Sequence, residues 1–104
     1  MRILGKPLEF EWDKGNKGKS LAKHQVTNEE CEEGFFDNRK KILKDILHSG
    51  KEDRYILLGR TKKKRLLFVV FTAGKKKLRV ISARDLNKKE RRLYYEEKTK
   101  NPKI

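Results

Sequence analysis

The sequence predicts an α+β domain: two N-terminal helices, an antiparallel sheet of three to four strands, and a C-terminal helix. Three observations carry this. Leu66 to Phe71 is an unbroken apolar run rich in β-branched and aromatic residues; Ala73-Gly74-Lys75 supplies a turn, and Leu78 to Ser82 returns the chain as the second arm of a hairpin. Thr27-Asn28-Glu29-Glu30 is a capping box, which opens a helix ahead of the strands. Asp85 and Asn87 offer caps for a helix after them. Short connections favour neighbouring strands pairing as a meander, with helices on one face.

Residues 1 to 9 carry little pattern, and Pro7 allows at most an edge strand leading into Phe10 and Trp12. Asp13 is the candidate N-cap of a first helix ending near His24. Gly15 and Gly18 each cost that helix about 1 kcal/mol against Ala, so packing of Leu21 and Ala22, with Trp12 at its start, must compensate. The second helix runs from the capping box to about Phe36, with Cys31, Gly34 and Phe35 on the face that packs under the sheet. Between Asp37 and Leu47 the apolar residues Ile42, Leu43, Ile46 and Leu47 recur at helical spacing, and local pattern favours a helix that His48-Ser49-Gly50 ends. Arg54 to Thr61 reads as a strand with Arg54, Ile56, Leu58 and Arg60 on one face. The hairpin that follows is apolar on both parities, which predicts a place near the sheet centre with both faces covered. A final helix spans about Lys88 to Glu97, and residues 98–104, like 1–9, read as flexible ends of a single domain spanning 1–104.

The 104 residues hold 35% hydrophobic and 42% charged side chains, with 29 Lys+Arg against 15 Asp+Glu and a net charge of +14. A domain this basic meets phosphate, on nucleic acid or at an acidic membrane surface. No apolar run approaches the ~20 residues of a membrane span, and Met1 to Leu4 is too short for a signal-peptide core. The single Cys31 forms no intrachain disulfide and reads as a small core residue, so the expected location is the cytoplasm. His24 and His48 stand far apart with one cysteine between them, which gives no metal-ligand spacing, and no cofactor motif is present.

What remains is cations, two histidines, a few carboxylates and tyrosines, a set that cleaves RNA without a metal. RNA supplies its own 2′-hydroxyl nucleophile. The protein must take a proton, give one to the leaving 5′-oxygen, and hold fixed charge against the phosphorane oxygens. Arginine suits the phosphate because its planar fork donates two hydrogen bonds. Each candidate also has an ordinary reading: His24 as a favourable charge at a helix C-terminus, the arginines as solvated strand ends. The lysine turns, Lys62, Lys63 and Lys64 before the hairpin and Lys75, Lys76 and Lys77 at its tip, serve general attraction to RNA. Tyr94 and Tyr95 are adjacent, so one packs on the sheet and the other faces solvent.

Phe10-Glu11-Trp12-Asp13, Leu21, Lys23-His24, Val26-Thr27 and Glu29-Glu30 together resemble the opening of the BrnT toxin family. His48-Ser49, Glu52, Arg54-Tyr55 and Gly59-Arg60 resemble its middle, and Ile81-Ser82-Ala83-Arg84, Glu90-Arg91 and Tyr94 its C-terminal signature. The resemblance covers roughly residues 10 to 96. Ser20 stands where the family usually has Asn, Lys14 where Pro is common, and Cys31 where Ala is common.

The resemblance implies a RelE-like fold, in which the stretch from Lys40 to Asp45 is a strand. It implies a ribonuclease toxin of a type II toxin–antitoxin pair. It further implies a cognate antitoxin similar to ribbon-helix-helix DNA-binding proteins, through which the complex meets promoter DNA. Lys23, His24, Arg54, Arg60, Arg84, Glu90 and Tyr94 fall within the matched motifs, and Arg79 is added from its place beside them. The expected roles are Arg84 and Arg60 on phosphate and transition-state charge, His24 as acid or base with Lys23 beside it, and Tyr94 orienting substrate. Glu52 and Glu90 position the arginines. The rival expectation is a non-catalytic basic RNA- or ribosome-binding module; a DNA-binding co-repressor ranks lower, since no helix shows a recognition pattern for the major groove.

Overall fold

Two capping boxes mark where the helices flanking the sheet begin. In the computed structural model, which describes residues 9–45, 53–74 and 77–96, helix α2 (Asn28–Phe35) starts at Thr27. The Thr27 hydroxyl accepts the Glu30 N–H at 3.0 Å and the Glu30 carboxylate accepts the Thr27 N–H at 2.9 Å. Helix α3 (Lys88–Tyr95) starts at Asn87 by the same reciprocal pair with Glu90. Each such cap stabilises its helix by about 1 kcal/mol. Between them lie β1 (Lys41–Lys44), β2 (Arg54–Arg60), β3 (Leu66–Ala73) and β4 (Leu78–Asp85), which pair antiparallel in the order β1-β2-β3-β4. The meander and the α+β class therefore stand as the sequence predicts. None of the described helices is long and apolar enough to cross a membrane.

Four details differ from the sequence reading. Asp13 caps a turn, not a helix: its carboxylate accepts the Gly15 N–H and its carbonyl accepts from Asn16 and Lys17. Helix α1 (Lys19–His24) begins only after Gly18, which sits at φ 73°, and it buries Ser20 while Leu21 stays 50% exposed. Second, the helix expected from Asp37 is replaced by strand β1, as the resemblance implied. Ile42 pairs with Leu57 and joins the core, so cross-strand pairing overrides the local helical spacing; Ile46, Leu47 and His48 lie outside the described residues. Third, of the hairpin only β3 is interior; β4 is the sheet edge. Fourth, the helices do not share a face. Leu57, Leu67, Val69, Phe71, Val80 and Ala83 meet Val26, Cys31 and Phe35 on one side, whereas Leu58, Leu66 and Phe68 meet Leu86, Leu93 and Tyr94 on the other. That split explains why β3 is apolar on both parities, although Leu66, Phe68 and Val70 are only half-buried.

An edge strand leaves a row of unpaired backbone groups. Here the segment 9–20 satisfies them. Glu9 and Glu11 exchange backbone hydrogen bonds with Leu78 at 2.7 and 2.8 Å, the Asn16 amide donates to the Val80 carbonyl at 2.9 Å, and the Ser20 hydroxyl accepts the Ala83 N–H at 2.8 Å. Helix α2 approaches β2 through two glycines. A Cβ on Gly59 would lie 2.6 Å from the Gly34 carbonyl oxygen, so the β2 side of the crossing tolerates no side chain, whereas a Cβ on Gly34 would meet nothing nearer than the Leu57 side chain at 3.4 Å. Phe35 fills the adjoining space edge-on between Phe10 and Phe71, at centroid distances of 5.2 and 4.9 Å.

Candidate functional site

The meander sorts the predicted cations by the end of the sheet at which they emerge. β2 leaves the sheet at Arg60, β3 enters at Leu66 and β4 leaves at Asp85, so Arg60, Lys62 to Lys64, Arg65 and Arg84 crowd one end, with α3 lying over it. Arg54 and Arg79 fall at the opposite end. They flank the buried Thr72 in one cross-strand row. Arg79 lies roughly 16 Å along β4 from Arg84, and its guanidinium pairs with Asp13 at 2.5 Å. Lys77 is exposed beside the β3–β4 turn, also at that far end; Lys75, Lys76 and Glu52 lie outside the described residues.

At the near end Arg84 is held on three sides. It lies in register with Phe68, and its guanidinium stacks 3.9 Å above that ring. Its two terminal nitrogens donate to the two Glu90 oxygens at 2.9 Å each, and one of them also donates to the Asp85 carbonyl at 3.1 Å. This bidentate pair, through its hydrogen bonds first, raises the Arg84 pKa and holds the Glu90 carboxyl below the usual carboxylate range. Both groups are thus fixed in their charged forms.

Tyr94 is buried against the sheet, and Tyr95 is exposed. Burial, and then the hydrogen bond to Asp37, push the Tyr94 phenol far above its ordinary pKa, so it is a neutral donor. Its hydroxyl donates to Asp37 at 2.5 Å, and the same carboxylate oxygen accepts the Arg60 backbone N–H at 2.9 Å. Tyr94 therefore ties α3 to the end of β2. Lys41 secures the same junction, donating to the Leu93 carbonyl at 2.6 Å and to the Glu96 carbonyl at the C-terminus of α3. The Arg60 guanidinium makes no hydrogen bond or ion pair with any of the described residues. Arg60 lines an open groove of about 590 Å³, with Lys62 beside it and Glu29, Glu32, Glu33 and Asp37 opposite.

Lys23 and His24 are exposed on α1, which packs against the edge strand β4 through Ser20. The link from this helix to the near end is Arg65, which is not among the candidate site residues read from the sequence. Its guanidinium donates to the His24 and Gln25 carbonyls at 3.2 and 2.8 Å, to Glu30 at 3.2 Å and to Asp85 at 2.7 Å. One arginine thereby fastens the end of α1, the first turn of α2 and the end of β4. His24 thus stands at the same end of the sheet as Arg60 and Arg84, although no described hydrogen bond or ion pair joins its ring to either. Among the described residues no group of three His, Cys, Asp or Glu side chains is placed to hold a metal ion. Cys31 is buried, and desolvation pushes its thiol up to about 12, so it is a core residue without nucleophilic character.

The roles of Asp37, Phe68, Arg65 and Asp85 at the site escaped the sequence reading because each acts across elements far apart in the chain. Glu90 carried the clearest local signal, as the third residue of a capping box six positions after Arg84. Residues 12–90, more than half of the chain, match the family model described as the ribonuclease toxin BrnT of a type II toxin–antitoxin system, and the chain belongs to that family. No curated protein matches it. Membership brings a toxin ribonuclease role, an RNA substrate and a protein antitoxin as partner.

Proposed function

We propose that this member of the BrnT family is a metal-independent endoribonuclease that cuts RNA at the near end of the sheet. The observation that carries the reading is Arg84, set over the Phe68 ring and fixed by Glu90 at the end of the sheet where Arg60 emerges with no side-chain hydrogen bond or ion pair among the described residues. Two arginines on strands separated by β3 suit a phosphodiester and the charge that builds on its oxygens. The 2′-oxygen attacks the adjacent phosphorus while a base removes its proton, the bond to the 5′-oxygen breaks, and an acid protonates that oxygen. The products are a 2′,3′-cyclic phosphate and a 5′-hydroxyl end. His24, the imidazole at this end, serves as acid or base, with Lys23 beside it, and Lys62 to Lys64 draw the RNA in. Tyr94 contributes by fixing α3 against Arg60 through Asp37.

In this reading cleavage inhibits translation in the cytoplasm, and a ribbon-helix-helix antitoxin neutralises the chain and carries the complex to promoter DNA. The test is an RNA digest with excess EDTA, with the ends of the fragments analysed. The wild-type chain yields cyclic phosphate ends, and Arg84→Ala cuts at least about 100-fold more slowly. Full cutting by Arg84→Ala overturns the assignment of Arg84. Strong salt-sensitive binding that leaves RNA intact supports instead a non-catalytic RNA-binding module.

A further inference from the structure

Arg84 already holds an anion. The Glu90 carboxylate occupies both terminal nitrogens of the guanidinium at 2.9 Å, the geometry with which arginine grips a phosphate. Two features separate this pair from an ordinary structural salt bridge. Phe68 lies 3.9 Å from the centre of the guanidinium, a contact that does not involve the carboxylate and stays in place when the carboxylate leaves. Glu90 also has a second anchor: one of its oxygens accepts the Asn87 N–H at 2.9 Å, which closes the N-terminus of α3. The carboxylate can therefore give up Arg84 while the helix keeps its cap. The site is half open, with 37% of the Arg84 side chain exposed against 18% for Glu90, so the cation is the more accessible partner.

We propose that Glu90 is an internal stand-in for phosphate: Arg84 and Phe68 form a phosphodiester subsite, and RNA enters it by displacing the Glu90 carboxylate from the guanidinium. The ligand class rests on the nuclease reading above. The stand-in keeps the arginine pre-aimed in the free chain and sets a threshold that weakly held anions do not cross. It also makes Glu90 a determinant of affinity, opposite in sign to a residue that merely positions Arg84. A positioning carboxylate improves RNA binding; a competing one weakens it.

The experiment measures binding of a short 2′-O-methyl RNA, which lacks the nucleophile, by fluorescence anisotropy at fixed salt. Glu90→Gln is the informative variant, because glutamine keeps the capping bond but removes the competing charge. It is expected to bind about tenfold more tightly than wild type. Glu96→Gln, which removes the same charge from an exposed position just beyond α3, changes binding by no more than about twofold. In the Arg84→Ala background the gain from Glu90→Gln disappears. Arg84→Lys, which keeps the charge but loses the fork, weakens binding about tenfold in the Glu90→Gln chain. Thermal melts establish that each variant is folded. Binding by Glu90→Gln that is equal to or weaker than wild type overturns the proposal, as does a gain that survives removal of Arg84. Cleavage of unmodified RNA by the wild type is read separately. A chain that never cuts but shows the tightening keeps the subsite and loses the nuclease reading; a chain that cuts without the tightening does the reverse.

Discussion

At the scale of single residues, the charged groups at the near end work as pairs whose ionisation is linked to stability. Hydrogen bonds from Arg65 hold the Asp85 carboxyl below its ordinary value of 3.8, as those from Arg84 hold Glu90 below 4.5. A depressed acid contributes stability that is complete above its unfolded pKa and is lost as pH falls through the folded one. Thermal stability is therefore expected to be level between about pH 5 and pH 8 and to drop below about pH 4. Asp85→Asn should lower the plateau, and the gap in Tm between it and wild type should close as the pH falls through the acid limb. A gap of constant size would show that the Arg65 contact contributes through packing alone. These pairs were only partly readable in the chain. Arg84 and Glu90 lie six residues apart on either side of a strand-to-helix junction, within reach of motif reasoning. Arg65 with Asp85, and Tyr94 with Asp37, are 20 and 57 residues apart and needed the fold to bring them together.

At the scale of elements, what the sequence disclosed was whatever its own neighbours decide. The capping box at Thr27 fixes α2, a cap residue at Asp85 or Asn87 announces α3, and the apolar run of β3 with its turn fixes the hairpin. What escaped was decided by contact. Ile42 and Leu43 sit at helical spacing from Ile46 and Leu47, yet they form β1 because β2 offers a paired edge and the core accepts Ile42 beside Leu57. Helix α1 is short because Asp13 spends its carboxylate on the turn at Gly15, and its burial rests on Ser20 against the β4 edge, not on Leu21. The Gly34–Gly59 crossing belongs to this scale as well. Gly59→Ala would place a methyl group 2.6 Å from a backbone oxygen that a helix holds rigid. The strain must move α2 off β2, at a cost of about 1–3 kcal/mol or more. In a chain of this size that is a fall in Tm of at least about 4 °C, measurable by calorimetry. Since the same movement shifts Arg60, the next residue in β2, cleavage should weaken with it. Wild-type stability in Gly59→Ala would mean that the helix rides higher on the sheet than the contact distance indicates.

At the scale of the whole molecule, the +14 charge is not spread as one patch. Composition disclosed the affinity for phosphate but not its direction, because residue order alone does not say which strand ends coincide. The meander puts the Lys62 to Lys64 turn beside Arg60, Arg65 and Arg84, and puts Lys77 with Arg54 and Arg79 roughly 24 Å away at the other end of β3. Arg54 and Arg79 were grouped with Arg60 and Arg84 by motif proximity, and the length of β2 and β4 separates them. Unequal effects from the lysines at the two ends follow. Each lysine that contacts a phosphate on single-stranded RNA contributes about 0.7 to the slope of log affinity against log salt. Replacing Lys62, Lys63 and Lys64 together by alanine should lower that slope by up to about 2 and slow cleavage in the same proportion as binding. Lys77→Ala removes a charge from the far end. It should leave cleavage of short RNAs nearly unchanged, because a fragment bound between Arg60 and Arg84 is too short to reach it. Longer RNAs should then restore a role for Lys77, since a strand that crosses the sheet meets both ends. A loss from Lys77→Ala equal, per charge, to that from the near triple on a fragment of only a few nucleotides would place the RNA along the full length of β3, and the near-end site would have to be abandoned.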